Sequence, residues 1–312
     1  MSRRVGVLLL AYGTPAGPEE IPAYYTHIRR GRPPTPELLR ELTGRYEAIG
    51  GSSPLLGIAR CQAEGLERLL CDRWPELRFQ VELGMKHAAP FIEEGVAALT
   101  AGGVGRTVAI VLAPHYSQLS VEEYIERVRA AADAALLGSI GFIREWHLEP
   151  GYIALLATQV RLALARLRIE GAGAVRVLFT AHSLPSWILE RGDPYPDQLR
   201  ETAAAVAELV GVEDWGIAWQ SAGRTADPWI GPDVCEVIRD LGAAGGHGAV
   251  LVCPAGFVSD HLEILYDLDI QARGVAARAG LRFARTALPN AAPELLDVLA
   301  EIVGAGLQEP VR

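Results

Sequence analysis

Lysine is almost absent from this sequence of 312 residues, because only Lys86 among its 29 basic residues is a lysine. The bias toward arginine fits an Ala- and Arg-rich genome and by itself carries little functional weight. Acidic residues outnumber basic ones, which gives a net charge of −9 at pH 7. Nucleic-acid-binding proteins usually present a basic face, so we expect no nucleic-acid partner.

Cysteine is also scarce. The residues Cys61, Cys71, Cys235 and Cys253 form no C-x-x-C pair, and their spacings do not match those of zinc or iron–sulfur sites. We therefore expect reduced thiols, as is usual in the cytoplasm.

Long apolar runs are missing, and none approaches the ~20 residues of a membrane span. The first apolar run, Val5 to Ala11, follows two arginines in the manner of a signal peptide. It ends at Tyr12-Gly13-Thr14-Pro15 without a small-x-small cleavage site. We interpret the run as a buried strand and expect a cytoplasmic protein without a transmembrane segment, although the protein could still touch a membrane surface.

Several catalytic motifs are absent as well. No G-x-G-x-x-G follows the first apolar run, and neither G-x-S-x-G nor H-E-x-x-H occurs. The sequence therefore contains none of these motifs that would indicate a nucleotide-binding protein, a hydrolase or a metalloprotease.

Short apolar runs alternate with helical segments rich in Ala, Leu, Glu and Arg. This alternation is typical of βαβ units and parallel sheets, and it predicts an α/β fold. The predicted strands are residues 5–11, 80–85, 108–113, 175–180, 216–220 and 249–253.

The two halves of the chain resemble each other. VGVLLLAYG in the first half parallels VRVLFTAHS in the second, and TVAIVLAPHYSQLSVEEY parallels GAVLVCPAGFVSDHLEIL. We predict two similar domains, residues 1–151 and 152–312. Ligands of such sheets bind beyond the carboxyl ends of the strands, so Tyr12 and His182, at equivalent positions, would face one cleft.

His182, in FTAHSLP, follows a predicted strand. An imidazole there can bind a transition metal or accept a proton near neutral pH, although a purely structural histidine is an open alternative. Glu263 lies in SDHLEILYDLD, where Ser259 or Asp260 would be the N-cap of a helix. On that helix a row of acidic side chains including Asp267 would attract a divalent cation, or would simply be a solvated face.

Aromatic and basic residues cluster in YYTHIRRGRPP, which includes Arg29, and in GRYEAIGGSSPL, which includes Arg45, Tyr46 and Ser53. Arginine pairs with carboxylates and stacks on flat π systems. These segments therefore favour a flat apolar ligand that carries carboxylates.

Eight segments, taken in order, resemble the ferrochelatase family, in particular the coproporphyrin-type ferrochelatases of Gram-positive bacteria. They are AYGTP, YYTHIRRGRPP, RYEAIGGSSPL, PHYSQLSVEEY, TAHSLP, GDPYPDQL, WQSAGRTADPWIGPDV and GFVSDHLEILYD, and they span nearly the whole chain. The resemblance implies a class II chelatase-like fold, with two Rossmann-like domains, each a parallel sheet flanked by helices, around a central porphyrin-binding cleft. It also implies an enzyme, a lyase of haem biosynthesis that inserts Fe²⁺ into coproporphyrin III.

Residue roles follow from the same resemblance. His182 and Glu263 would be the catalytic pair and would hold the metal, and Tyr12 would contact the iron from the opposite face of the porphyrin. The residues that would bind the substrate are Tyr12, Arg29, Arg45, Tyr46, Ser53 and Tyr124. A neutral His182 would be required, so activity should fall as the pH drops through its pKa.

The resemblance has limits and leaves alternatives open. Gln271 stands where some relatives have a carboxylate, which puts an outer metal site in doubt. No cysteine follows Cys253, so we expect no iron–sulfur cluster and no cofactor beyond the substrate Fe²⁺. The resemblance also implies a monomer and, as a transient partner, a downstream enzyme of the haem pathway. The alternatives are a protoporphyrin IX ferrochelatase, a chelatase for cobalt or nickel, and a non-enzymatic carrier of haem or metal.

Overall fold

Two parallel four-stranded sheets flanked by helices form the computed structural model, which describes residues 3–308. The strands of the first sheet are β1 (Arg3–Ala11), β2 (Leu77–Met85), β3 (Arg106–Val111) and β4 (Ile140–Ile143). Those of the second are β5 (Val175–His182), β6 (Trp215–Gln220), β7 (Ala249–Cys253) and β8 (Arg282–Arg285). The strand orders, β2-β1-β3-β4 and β6-β5-β7-β8, are equivalent. The predicted fold of two Rossmann-like units is therefore confirmed.

Helices cover both faces of each sheet. They are α1 (Ile21–Ile28), α2 (Pro36–Ala48), α3 (Leu55–Arg73), α4 (Ile92–Gly102), α5 (Val121–Ala131), α6 (Ala134–Leu137), α7 (Pro150–Ile169), α8 (Trp187–Glu190), α9 (Tyr195–Val210), α10 (Val234–Ala244), α11 (Arg273–Arg278) and α12 (Pro293–Gln308), with a 3₁₀ turn (Pro18–Glu20) and a π-helix (Glu263–Ala272). Among the described residues, no helix has both the length and the apolar character needed to cross a membrane.

The central strand β1 is buried on both faces, as expected for a parallel sheet covered by two helical layers. Leu9 packs into the larger core with α3 and α7, whereas Leu8 and Leu10 pack on the opposite face against α4 and α5. Burial of one such side chain is worth about 1.5–3 kcal/mol. This packing fixes where β1 ends and so where Tyr12 emerges.

The last helix, α12, returns to the first sheet. The guanidinium group of Arg106 on β3 donates to the carbonyl of Gly306 on α12 at 3.0 Å, and α12 also packs against α3 and α7. The predicted division between residues 151 and 152 falls in the first turn of α7 and stays a prediction. Residues 1, 2 and 309–312 of the two predicted domains lie outside the described residues.

The predicted start of one helix was wrong. The helix predicted to be capped by Ser259 or Asp260 begins at Glu263 as a π-helix, with Leu262 as its N-cap. The Asp260 carboxylate instead accepts hydrogen bonds from Arg285 Nη2 at 2.9 Å and Asn290 Nδ2 at 2.8 Å.

Candidate active site

A cleft of about 1510 Å³ opens where the carboxyl ends of strands from both sheets meet. Most small-molecule pockets are smaller, at about 300–1,000 Å³, so this cleft has room for a large ligand. The predicted site residues that line it are Tyr12, Tyr46, Ser53, Tyr124, His182 and Glu263.

His182 is the last residue of β5, and only one of its ring nitrogens remains free to act. Its Nδ1 is hydrogen-bonded to the carbonyl of Ser183, and because a carbonyl can only accept, Nδ1 carries the proton. Nε2 lies 3.4 Å from Oε1 of Glu263. A neutral His182 would therefore offer its Nε2 lone pair to a metal or a proton beside a carboxylate.

Charge coupling dominates this pair. Burial alone would lower the pKa of His182, but Glu263, the Ser183 carbonyl and Asp267 together outweigh burial and raise the pKa above the usual value. Burial alone would raise the pKa of Glu263, but His182 and His261, whose Nε2 lies 3.5 Å from Glu263 Oε2, hold it well below the usual range. In the metal-free protein, the pair is therefore favoured as imidazolium and carboxylate.

Neighbouring groups hold His182 in place. The hydroxyl of Tyr195 donates to the His182 carbonyl at 3.0 Å, and the ring of Trp229 lies 6.2 Å from the imidazole, centroid to centroid. The side-chain amide of Gln220 donates to the backbone carbonyl of Glu263 at 3.2 Å. These contacts fix the pair from α9, β6 and the loop that follows β6.

Tyr12 emerges directly after β1 and is 43% exposed toward the cleft. Its ring lies 4.6 Å from that of His87, centroid to centroid, and Nδ1 of His87 is 3.0 Å from Nδ1 of His27. Desolvation inside the cleft raises the pKa of the Tyr12 phenol, as do Glu263 and Glu123, so the phenol is protonated.

The other predicted residues that line the cleft are buried or hydrogen-bonded. Tyr46 is buried, its hydroxyl lies 3.2 Å from Oγ1 of Thr14, and burial raises the pKa of Tyr46 to about 12. Ser53 Oγ accepts from the backbone N–H of Leu55 at 3.3 Å. Tyr124 is buried on α5, and burial raises the pKa of Tyr124 well above its usual value.

The two predicted arginines are not brought to the wall of the cleft. Arg29 ends α1 and lies over the ring of Tyr25, 5.8 Å from its centroid. Arg45 forms an ion pair with Asp267 of the π-helix and stacks on Tyr266 at 4.8 Å. A porphyrin carboxylate would have to draw Arg45 away from Asp267 or share it.

The predicted acidic row along the π-helix is interrupted. Asp267 is buried, and its carboxylate is bound by Arg45 and Ser221. Gln271 is exposed. In the described part of the chain, no group of three or more His, Cys, Asp or Glu side chains is placed to hold a metal ion. His182 and Glu263 would supply two protein ligands to a passing cation.

Sequence comparison gives the family. A sequence model described as Ferrochelatase matches residues 4–307. The chain belongs to the ferrochelatase family. The prediction of an enzyme of this family is thereby confirmed.

Curated ferrochelatases align over nearly their full length. The chain is 44% identical over 304 residues to the coproporphyrin III ferrochelatase of Bacillus subtilis (strain 168), covering 97% of this chain and 98% of that protein. It is 45% identical over 303 residues to the enzyme of the same name from Geobacillus sp. (strain WCH70), covering 96% and 97%.

Two solved structures resemble the chain at low sequence identity. SirB from Bacillus subtilis with Fe³⁺ matches with a TM-score of 0.57 at 12% identity, covering 98% of this chain and 96% of that one. CbiX, described as the terminal enzyme of sirohaem biosynthesis in denitrifying bacteria, matches with a TM-score of 0.53 at 14% identity, covering 96% and 98%. At these identities the likeness shows the fold alone.

Sequence reasoning missed several residues that line the cleft of this ferrochelatase-family chain: Lys86, His87, Tyr195, Trp229 and His261. Lys86 and His87 directly follow β2, and carboxyl ends of strands are where ligands bind in such sheets. Their position after a predicted strand could therefore have identified both residues as candidates for the cleft lining. No comparable signal marked Trp229, which reaches His182 from a long loop.

Proposed function

We propose that the protein inserts Fe²⁺ into coproporphyrin III and releases two protons, one from each pyrrole N–H of the porphyrin. The names of relatives at 44–45% identity over nearly the whole chain support this substrate. The volume of the cleft and its position between the sheets are compatible with a porphyrin.

The observation that carries the proposal is the pairing of His182 Nε2 with Glu263 inside the cleft. Metal insertion requires a ligand that receives the partly dehydrated iron and a base that removes the pyrrole protons. A neutral imidazole nitrogen beside a carboxylate provides both groups within one site. We assign the roles of metal ligand and base to His182 and Glu263 jointly.

Tyr12 would contact the iron from the opposite face, and Arg29, Arg45, Tyr46, Ser53 and Tyr124 would bind the macrocycle and its carboxylates. Binding energy from these contacts can bend the ring and expose the nitrogen lone pairs, which favours the transition state.

The protein would act as a cytoplasmic monomer without an iron–sulfur cluster, and would hand its product to a downstream enzyme of haem synthesis. A protoporphyrin IX ferrochelatase or a haem carrier would be the alternative.

The variant His182→Ala tests the proposal. We expect iron insertion to fall at least about 100-fold, because the base and one metal ligand are lost together. The Kd for coproporphyrin should stay within about threefold, since binding rests on other residues. Insertion is followed by the Soret and Q bands under anaerobic conditions, and binding by fluorescence quenching.

His247→Ala is the matched control, because His247 pairs with Asp214 outside the cleft and should be dispensable. Normal turnover of His182→Ala would refute the role of His182. Tight porphyrin binding by the wild type without any insertion would favour the carrier.

A further inference from the structure

Lys86, the single lysine of the chain, lies in the wall of the cleft. It directly follows β2, and its backbone N–H donates to the carbonyl of Ala11 at 2.9 Å, so that the ends of β1 and β2 fix its position. Only 9% of the residue is exposed. A lysine is among the residues least often buried, so its placement here calls for a partner.

The ammonium group has two identified neighbours. Nζ donates to Oε2 of Glu123, and it lies 5.1 Å from the ring centroid of Tyr124. An ammonium has three N–H donors, and one hydrogen bond to Glu123 leaves donors for another acceptor. The ring of Tyr124 stabilises the cation without taking up its charge.

The local charges do not cancel. Glu123 also accepts from Arg30 Nη2 at 3.3 Å, so two cations share one carboxylate. The nearby Arg127 is neutralised by Glu93, with Nη2 and Oε2 at 2.7 Å. The group formed by Lys86, Arg30 and Glu123 therefore has one excess positive charge, and the exposed Glu126 is a further carboxylate in the lining of the cleft.

Burial makes this charge costly. It lowers the pKa of Lys86, while Glu123 acts in the opposite direction. A second carboxylate at Nζ would offset the lost hydration. An apolar group at the same place would leave the charge buried and incompletely paired.

Most of the residues already assigned to the macrocycle and its carboxylates lie away from Lys86. Arg29, Arg45, Tyr46 and Ser53 belong to one segment, around α1, α2 and the following turn, and only Tyr124 on α5 is a neighbour of Lys86. Lys86 comes instead from the end of β2 and faces the start of α5. A porphyrin with carboxylates around more of its edge could bind both the α1–α2 segment and Lys86 at the end of β2. A porphyrin with fewer carboxylates could bind only one of them.

We propose that Lys86 binds a carboxylate of the porphyrin that coproporphyrin III has and protoporphyrin IX lacks, and that it thereby favours the substrate with four carboxylates over the one with two. This assignment rests on the proposed function and names a specificity-determining residue for the same site.

The test compares the Kd of each porphyrin for the wild type, Lys86→Met and Lys86→Arg, measured by fluorescence quenching. Methionine keeps the length of the stem and its packing on Tyr124 but removes the charge. We expect Lys86→Met to weaken coproporphyrin III binding about tenfold, as for loss of one charge-assisted hydrogen bond, and protoporphyrin IX binding less than about twofold. Lys86→Arg should retain part of the preference.

A structural ion pair would predict a different pattern. If Lys86 only neutralised Glu123, then Lys86→Met would weaken binding because Glu123, left with Arg30 alone, repels the porphyrin carboxylate. In that case Glu123→Gln would abolish the effect of Lys86→Met on the Kd. We expect instead that Lys86→Met still weakens coproporphyrin III binding several-fold in the Glu123→Gln background. Restoration of wild-type affinity in the double variant would overturn the assignment.

The outcomes separate this assignment from the proposed function. A wild type that prefers coproporphyrin III, together with a Lys86→Met variant that keeps the same preference, would show that only the role of Lys86 is wrong. If the wild type bound neither porphyrin, the proposed function would be wrong and the assignment with it.

Discussion

At the scale of single residues, the protonation of His182 determines what the site can do. The carbonyl of Ser183 holds the proton on Nδ1, and Glu263 favours a second proton on Nε2 in the metal-free protein. Under the proposed function, iron could bind Nε2 only after that second proton has left. The sequence alone predicted that these two residues act together, but not the tautomer, because that depends on the backbone conformation after β5.

The ion-pair partner of Arg45 could not be predicted from the sequence. The motif of Arg45 implied contact with a porphyrin carboxylate, whereas in the structure Arg45 binds Asp267, which lies 222 positions away in the chain. Such a pairing arises from the packing of α2 against the π-helix, where Tyr46 and Leu262 share a small apolar cluster. No local pattern encodes it.

The variant Arg45→Ala should lower the free energy of unfolding by about 2–3 kcal/mol, because it leaves the largely buried Asp267 carboxylate without its cation. Adding Asp267→Asn should recover part of this loss, since burial already raises the pKa of Asp267 and disfavours its charge. Arg40→Ala on the same helix is the control. Its ion pair with Glu37 is exposed and should contribute less than about 0.5 kcal/mol.

Urea unfolding curves measure these differences. Stability of Arg45→Ala within about 0.5 kcal/mol of the wild type would contradict a stabilising role of the pair.

At the scale of elements, most strands and helices could be predicted, and the exceptions have physical causes. The six predicted strands are present, but β4 and β8 were missed, because four residues at a sheet edge are too few to show a period. The helical segment between β3 and β4 is divided into α5 and α6, and the Asp133 side chain at the start of α6 accepts from Leu136 N–H at 2.8 Å. The π-helix was not predicted, because its pattern of side chains also suits an α-helix.

Loops after β3 and β4 are joined to α9 by buried polar groups. Nε2 of His115 lies 2.9 Å from Oγ1 of Thr202, and the Thr202 hydroxyl itself donates to backbone carbonyls, so His115 is the donor. His115 Nδ1 finds no partner among the described residues. Burial, together with the nearby His147, lowers the pKa of His115 to about 3.

This pKa predicts how stability depends on pH. The unfolded chain binds a proton at His115 near pH 6.5, whereas the folded protein binds it only near pH 3. Between these values the unfolded state holds more protons, so stability falls as the pH is lowered. We expect this residue to account for about 2 kcal/mol of lost stability from pH 7 to pH 5.

His115→Gln keeps a donor for Thr202 and removes the titration. Unfolding curves at pH 7 and pH 5 should show that the free energy of unfolding changes less with pH in the variant than in the wild type. The difference in this free energy between variant and wild type at pH 7 measures the effect of altered packing. Equal slopes for variant and wild type would contradict a neutral, buried His115.

At the scale of the whole molecule, duplication explains why one cleft collects residues from distant parts of the chain. Equivalent strand orders place the ends of β1 and β5 at the same opening, and Tyr12 and His182 follow from that symmetry. The repeat in the sequence predicted this meeting. It could not predict the return of α12 to the first sheet, which depends on contacts between the two ends of the chain.

Insertion of iron into coproporphyrin III is the activity that we propose for this molecule. The most direct test mixes the purified protein with Fe²⁺ and coproporphyrin III without oxygen and follows the replacement of the free-base Q bands by those of the iron porphyrin, with protoporphyrin IX in parallel. We expect turnover of coproporphyrin III well above the rate without protein, and a much slower reaction of protoporphyrin IX. Metallation of neither porphyrin above that background would contradict the proposed activity.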